Sequence, residues 1–176
     1  MRMRVIMLAF VVFIFTAANV SAQDYDHTVD VKDMSFSWKI AGSDLNIKIS
    51  GKSNGWVGIG FNPTDQMEGA NYILGYVKGG KAKLSDDYGD SKRGHKNDEK
   101  LGGTTDVKLI GGEEKGKVTT LEFSIPLNSG DKYDSVLDVN GTTVVLLSYG
   151  GKRDSFKAKH KFRSVVKVNL STGKVL

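Results

Sequence analysis

The chain has 176 residues and a net charge of +5, from 25 Lys and Arg against 20 Asp and Glu, with 21 Gly, 2 Pro and no Cys. That length suits one domain with a hydrophobic core of its own. The missing cysteines exclude a disulfide framework, thiolate metal sites, C-x-x-C-H attachment of a prosthetic group and a cysteine nucleophile. The mild basic excess is too weak to imply nucleic-acid binding.

Arg2 and Arg4 precede an apolar run from Val5 to Phe15, and Val20-Ser21-Ala22 leads into Gln23. A basic start, an apolar stretch and a small-x-small exit read as a secretory signal peptide over residues 1–22. The competing reading is a retained membrane anchor, but the run is short for a ~20-residue span. The expected mature domain is 23–176, exported to a periplasm or the cell exterior, with no stable membrane span. Export without cysteine suits a bacterial periplasm or surface.

Met34, Phe36, Trp38 and Ile40 alternate with polar residues, which predicts a half-buried strand. Ala41-Gly42-Ser43-Asp44 is a turn, and Leu45, Ile47 and Ile49 continue the alternation on a second strand. Trp56 to Phe61 is a third strand, interrupted by Gly58 and Gly60, which suggest a bulge or the close approach of something to the backbone. Tyr72 to Val77 is apolar on both parities, as a central strand is. Gly79-Gly80 turns it toward a strand over Lys83 to Tyr88. Gly89 to Gly103 is polar and charged, and reads as a long surface loop. Asp106 to Ile110 and Val118 to Ile125 flank Gly111-Gly112-Glu113-Glu114 as a further hairpin. Thr142 to Tyr149 reads as a buried strand, and the last strand runs from about Phe156 to Leu170. No helical period of useful length occurs. The pattern predicts an all-β, single-domain antiparallel sandwich, immunoglobulin-like, with about nine to eleven strands.

The last strand carries two faces. Phe156, Ala158, His160, Phe162, Val166, Val168 and Leu170 share one parity; Lys157, Lys159, Lys161, Arg163 and Lys167 share the other. His160 on the apolar parity is either a core histidine bonded to backbone or a ligand for a metal or haem. Met67, in a polar loop between two glycine-bearing strands, is either a gap filler or a thioether ligand. A copper site from His27, His95, His160 and Met67 lacks any helpful spacing. Asp86, Asp87 and Asp90 hint at calcium, but without the EF-hand register they read as an acidic surface turn. No G-x-S-x-G, P-loop or H-E-x-x-H occurs, so hydrolase and nucleotide-enzyme readings have no support.

The run from Gly55 to Val77, with Leu84-Ser85-Asp86-Asp87-Tyr88, Leu121 to Leu127 and the late His160, resembles the DOMON domain family. Within that family the chain is similar to the haem-binding branch, including the cytochrome domain of cellobiose dehydrogenase and ethylbenzene-dehydrogenase-type subunits. The resemblance implies a sandwich that binds haem b without covalent attachment, with Met67 and His160 as iron ligands. Trp56, Phe61, Tyr72, Phe156 and Phe162 are the candidate aromatic walls. A Met/His pair fills both axial positions, so the implied activity is one-electron transfer with a partner protein and not catalysis. Lys152, Arg153, Lys157, Lys159, Lys161 and Arg163 are candidates for steering a partner with an acidic docking surface. The alternative that the family allows is a non-redox module for a carbohydrate or other small ligand.

Overall fold

The computed structural model describes residues 24–176, so the signal segment expected over 1–22 lies outside the described residues. The strands are β1 (His27–Val31), β2 (Met34–Ala41), β3 (Asp44–Gly51), β4 (Val57–Phe61), β5 (Asn71–Lys78), β6 (Lys81–Ser91), β7 (Gly94–Asn97), β8 (Lys108–Lys115), β9 (Val118–Pro126), β10 (Thr143–Gly150) and β11 (His160–Val168). They form two sheets, a five-stranded one in the order β1-β2-β3-β9-β8 and a six-stranded one in the order β11-β10-β4-β5-β6-β7. Every pairing is antiparallel. The expected β-sandwich is the observed one, and no described helix is long and apolar enough to cross a membrane.

Period-two alternation fills the space between the sheets. Phe36, Trp38, Leu45, Ile47, Ile49, Leu121 and Phe123 point in from one sheet, and Val57, Ile59, Phe61, Ile73, Val145 and Leu147 from the other. Each fully buried side chain of this size contributes about 1.5–3 kcal/mol. Phe36 stacks on Trp38 at 4.6 Å, and the indole Nε1 of Trp38 donates to the carbonyl of Leu170 at 2.8 Å. That bond satisfies a polar atom that the core would otherwise strand.

Four expectations change. The segment 89–103 is not a long loop: β6 runs on to Ser91, β7 follows, and Asp98–Leu101 forms a 3₁₀ turn. Strand β7 escaped sequence reading because an edge strand of sequence GHKN has no apolar alternation. The late-middle hairpin turns at Gly116-Lys117 instead of 111–114. Both turn residues have positive φ, 61° and 68°, as a two-residue type I′ turn requires. The last strand starts at His160, and 151–159 is a connecting segment. Strand β1 was not anticipated.

Candidate functional site

The outer face of the six-stranded sheet is itself apolar, which explains why β5 reads as hydrophobic on both parities. Ile73 and Val77 face the core, while Tyr72 and Leu74 belong to a second buried cluster with Trp56 and Ala70. Met67, Tyr76, Leu146, Phe156 and Ala158 border that cluster. The strand glycines serve this face. A Cβ on Gly60 would stand 2.4 Å from the Tyr72 ring, and one on Gly58 would touch Leu74 and Trp56 at 3.4 Å. The close approach to the backbone at these glycines is thus made by the chain's own Tyr72, Leu74 and Trp56.

Segment 151–159 lies on the same floor. Trp56 Nε1 donates to the carbonyl of Ala158 at 3.0 Å, and the Phe156 ring packs 5.0 Å from Tyr76. A β-bulge then changes the parity of the last strand: Tyr149 pairs with Phe162, but Gly150 pairs with His160. Opposed residues point to the same side of a sheet. Gly150 faces outward, since its Cβ would stand 2.2 Å from Trp56 Nε1. His160 therefore lies on the outer side and is exposed, so the core-histidine reading falls. Phe162 turns inward and stacks on Tyr149 at 5.3 Å.

Of the five aromatic walls expected for a ligand, the structure gathers Trp56, Tyr72 and Phe156 on the outer face. Phe61 and Phe162 instead belong to the core between the sheets.

Met67 sits at the opposite end of that face from His160. It lies in a tight turn in which Asp65 and Glu68 exchange backbone bonds, with the Met67 carbonyl accepting from Ala70 N–H at 3.3 Å. Gly69 and Gly89 lock the turn onto β6: Gly69 N–H donates to the Gly89 carbonyl, and Gly89 N–H to that of Ala70, both at 2.9 Å. From the Trp56 level, where His160 stands, to the turn beyond Phe61 is five to six residues of strand, about 16–20 Å. Met67 packs against the outer cluster, and His160 stands exposed beside Gly150 at the Trp56 end of the same face.

A different histidine is closer to the Met67 end. His95 on β7 packs its ring 6.1 Å from Tyr72. Its Nδ1 lies 2.6 Å from Oδ2 of Asp87, a residue only 4% exposed, and Ser85 Oγ donates to the other oxygen of that carboxylate. A carboxylate on Nδ1 fixes the ring orientation and directs Nε2 as the free nitrogen, the arrangement usual behind a ligating imidazole. Burial pushes the phenol pKa of Tyr72 well above its ordinary value, so it stays protonated as a donor. Sequence reading missed this arrangement because 89–103 looked like loop; the signal was Asp87 and His95, spaced eight apart across a tight β6–β7 hairpin.

The four-residue copper constellation is divided. His27 stands in the five-stranded sheet, 5.3 Å from Trp38 and bonded to the Ser171 carbonyl. The acidic surface turn is also revised: Asp86 and Asp87 are buried and point to opposite faces of β6, with Asp90 alone exposed.

A model of the DOMON domain matches residues 30–150. The chain is 27% identical over 126 residues to MOXD1 homolog 2 of Drosophila melanogaster, and 29% identical over 137 residues to DBH-like monooxygenase protein 1 of Mus musculus. Those alignments take in 71% and 76% of this chain but only 16% and 22% of the relatives, so the chain spans about a fifth of their length. In structure it is similar to the cytochrome b domain of pyranose dehydrogenase from Coprinopsis cinerea, with a TM-score of 0.64, 11% identity and coverage of 84% and 83% of the two chains. It is likewise similar to the cytochrome domain of Myriococcum thermophilum cellobiose dehydrogenase, with a TM-score of 0.61, 11% identity and coverage of 83% and 82%. At that identity the likeness is one of fold. With the family match covering most of the described sandwich, the chain belongs to the DOMON domain family.

Proposed function

We propose that this chain is an exported b-type cytochrome module, which binds haem b on the outer face of its six-stranded sheet and passes single electrons to or from a partner protein. The observation that carries the reading is the apolar floor of Trp56, Ala70, Tyr72 and Leu74, bordered by the Met67 side chain and served by an imidazole at either end. The donor types fit haem; the space for a macrocycle is held by Phe156 and Ala158, so binding requires segment 151–159 to lift. Haem when bound supplies a one-electron couple, and thioether ligation favours its ferrous form.

Met67 and His160 are the pair that the family resemblance implies would hold the haem. His160 follows directly on segment 151–159, the segment whose lifting would open the floor. A second assignment, His95 in place of His160, is favoured by the Asp87 carboxylate that orients its ring. The exposed basic residues Lys152, Arg153, Lys157, Lys159, Lys161 and Arg163 give the module a face for an acidic docking surface. The competing function is a non-redox module for a carbohydrate or other small ligand, favoured by the closed floor.

Titration of the purified mature chain with haemin, followed by reduction, decides between them. The expected result is one equivalent bound with a low-spin reduced spectrum, lost in Met67→Ala. Loss of that spectrum in His160→Ala assigns His160, and loss in His95→Ala assigns His95. A folded chain that rejects haemin overturns the cytochrome reading and leaves the small-ligand module.

A further inference from the structure

On the core side of β6, away from the outer face, three carboxylates meet at the open end of the sandwich. Asp86, Asp98 and Asp134 each offer an oxygen within 4.8 Å of the other two. They come from β6, from the 3₁₀ turn and from the loop after β9. Asp98 is fully buried, and neither of its carboxylate oxygens has a hydrogen-bond partner. Asp86 is 1% exposed; its Oδ2 accepts the N–H groups of Asp106 and Val107, while its Oδ1 has no partner. Asn71 is 5% exposed, donates its amide to Asp134 Oδ1 at 2.6 Å, and leaves its own Oδ1 unpartnered.

Burying carboxylates without partners is costly enough that something must compensate. Among the described residues no Lys, Arg or His forms an ion pair with Asp86, Asp98 or Asp134. The charged neighbours that act most strongly on Asp98 are carboxylates: Asp86, Asp134, Asp131 and Asp87. Burial and this mutual repulsion push Asp86 up to about 7, Asp98 to about 8 and Asp134 to about 6. A proton shared between two of these carboxyl groups would satisfy only two of the four orphaned oxygens, whereas a cation takes lone pairs from all four.

We propose that Asp86, Asp98, Asp134 and the Oδ1 of Asn71 form a site for one divalent cation of calcium's class, which pins the 3₁₀ turn and the Asp131–Asp134 loop to β6. The donor set is all oxygen, with no imidazole or sulfur among the clustered groups, which selects a hard cation over zinc or copper. Four protein oxygens leave room for backbone carbonyls or water to complete the six to eight ligands that calcium takes. The site lies across β6 from Asp87 and His95, so it is independent of the haem assignment.

The test uses the mature chain freed of metal with a chelator. Calorimetric titration with calcium chloride is expected to show one equivalent bound and a raised Tm. Asp98→Asn should weaken binding by about tenfold or more, since affinity follows the number of charged ligands. The same variant should be no less stable than the parent in chelator, because it removes a repelling charge at constant shape. Asp90→Asn, at the exposed end of β6, should bind as the parent does. Terbium luminescence sensitised by Tyr88 and Tyr133, whose rings stand 5.2 Å apart beside the site, gives a readout that needs no variant. Calcium should quench it by competition at lower concentration than magnesium. Absence of calcium binding and of terbium luminescence in the parent, undiminished binding in Asp98→Asn, or preferential displacement by magnesium would each overturn the assignment.

Discussion

Nδ1 of His95 stands 2.6 Å from Oδ2 of Asp87, and the two are joined across the β6–β7 hairpin at the Tyr72 end of the outer face. A ring held in this way loses little freedom on taking a ligand through Nε2. Loss of such an orienting carboxylate typically costs 10–100-fold in metal affinity. If His95 is the haem ligand, Asp87→Ala should weaken haemin binding by about that factor, with the fold preserved by circular dichroism. If His160 is the ligand, haemin affinity should stay within about twofold of the parent. Titration of the two proteins side by side reads the difference.

The Gly150–Trp56 contact makes a second prediction. A Cβ at position 150 would meet the indole at 2.2 Å from Nε1, so Gly150→Ala forces Trp56 off the floor and breaks its bond to Ala158. Overpacking of this kind costs about 1–3 kcal/mol. Urea unfolding should show a lowered midpoint with an unchanged slope, and the emission of Trp56 should shift to the red as water reaches it. An unaltered midpoint and spectrum would mean that segment 151–159 does not rest on the indole.

Gly89 controls the methionine. Its Cβ would fall 1.8 Å from the Met67 carbonyl, a backbone atom that cannot swing aside. Gly89→Ala should displace the whole Asp65–Glu68 turn and the two bonds that tie it to β6. With methyl-labelled methionine, the Met67 resonance should move while that of Met34, buried in the core, stays in place. Movement of both or of neither would show that the turn is not held by this contact.

How far the sequence discloses these features depends on the distance over which each is encoded. Alternation in β2 and β3 is local, as is the apolar run of β5, and those strands were legible residue by residue. The double-sided apolarity of β5 pointed to a central strand, but the cause, a second cluster outside the sandwich, needed partners from β4, the Met67 turn and segment 151–159. The facing of His160 depends on one bulged residue, and a one-residue slip inverts every side chain before it. No composition signal marks that slip, so Phe156 and Phe162 shared a parity on paper and lie on opposite faces in space. Asp86, Asp98 and Asp134 come from three separate elements, whereas Asp86, Asp87 and Asp90 are the acids that sequence proximity groups. Proximity joined the wrong carboxylates because neighbours in a strand alternate sides.

Trp38 tests the core itself. The indole is fully buried, stacks on Phe36 and supplies the hydrogen of the Leu170 carbonyl. Trp38→Phe keeps most of the apolar volume but leaves that carbonyl unpaired, a loss of about 1–3 kcal/mol. Trp38→Ala adds a cavity, for about 3–5 kcal/mol in total. Chemical unfolding of the two variants should therefore separate the hydrogen bond from the packing. Equal losses would show that the bond contributes nothing measurable.

The basic stretch around His160 has a kinetic consequence. Lys152, Arg153, Lys157, Lys159, Lys161 and Arg163 are all exposed, and Asp154 is the single acid among residues 152–163. None of the six basic residues forms an ion pair among the described residues. Their net positive field therefore reaches solvent, over a screening length of about 30 Å at 0.01 M salt that shrinks to about 3 Å at 1 M. Oxidation of the reduced, haem-loaded chain by an anionic reagent such as ferricyanide should slow about tenfold or more across that range. Lys157→Glu combined with Lys159→Glu should flatten the dependence without altering the reduced spectrum. Both positions are exposed on the connecting segment, outside either proposed ligand set, so the double variant separates steering from ligation. A rate that ignores salt in the parent would discard electrostatic steering while leaving haem binding intact.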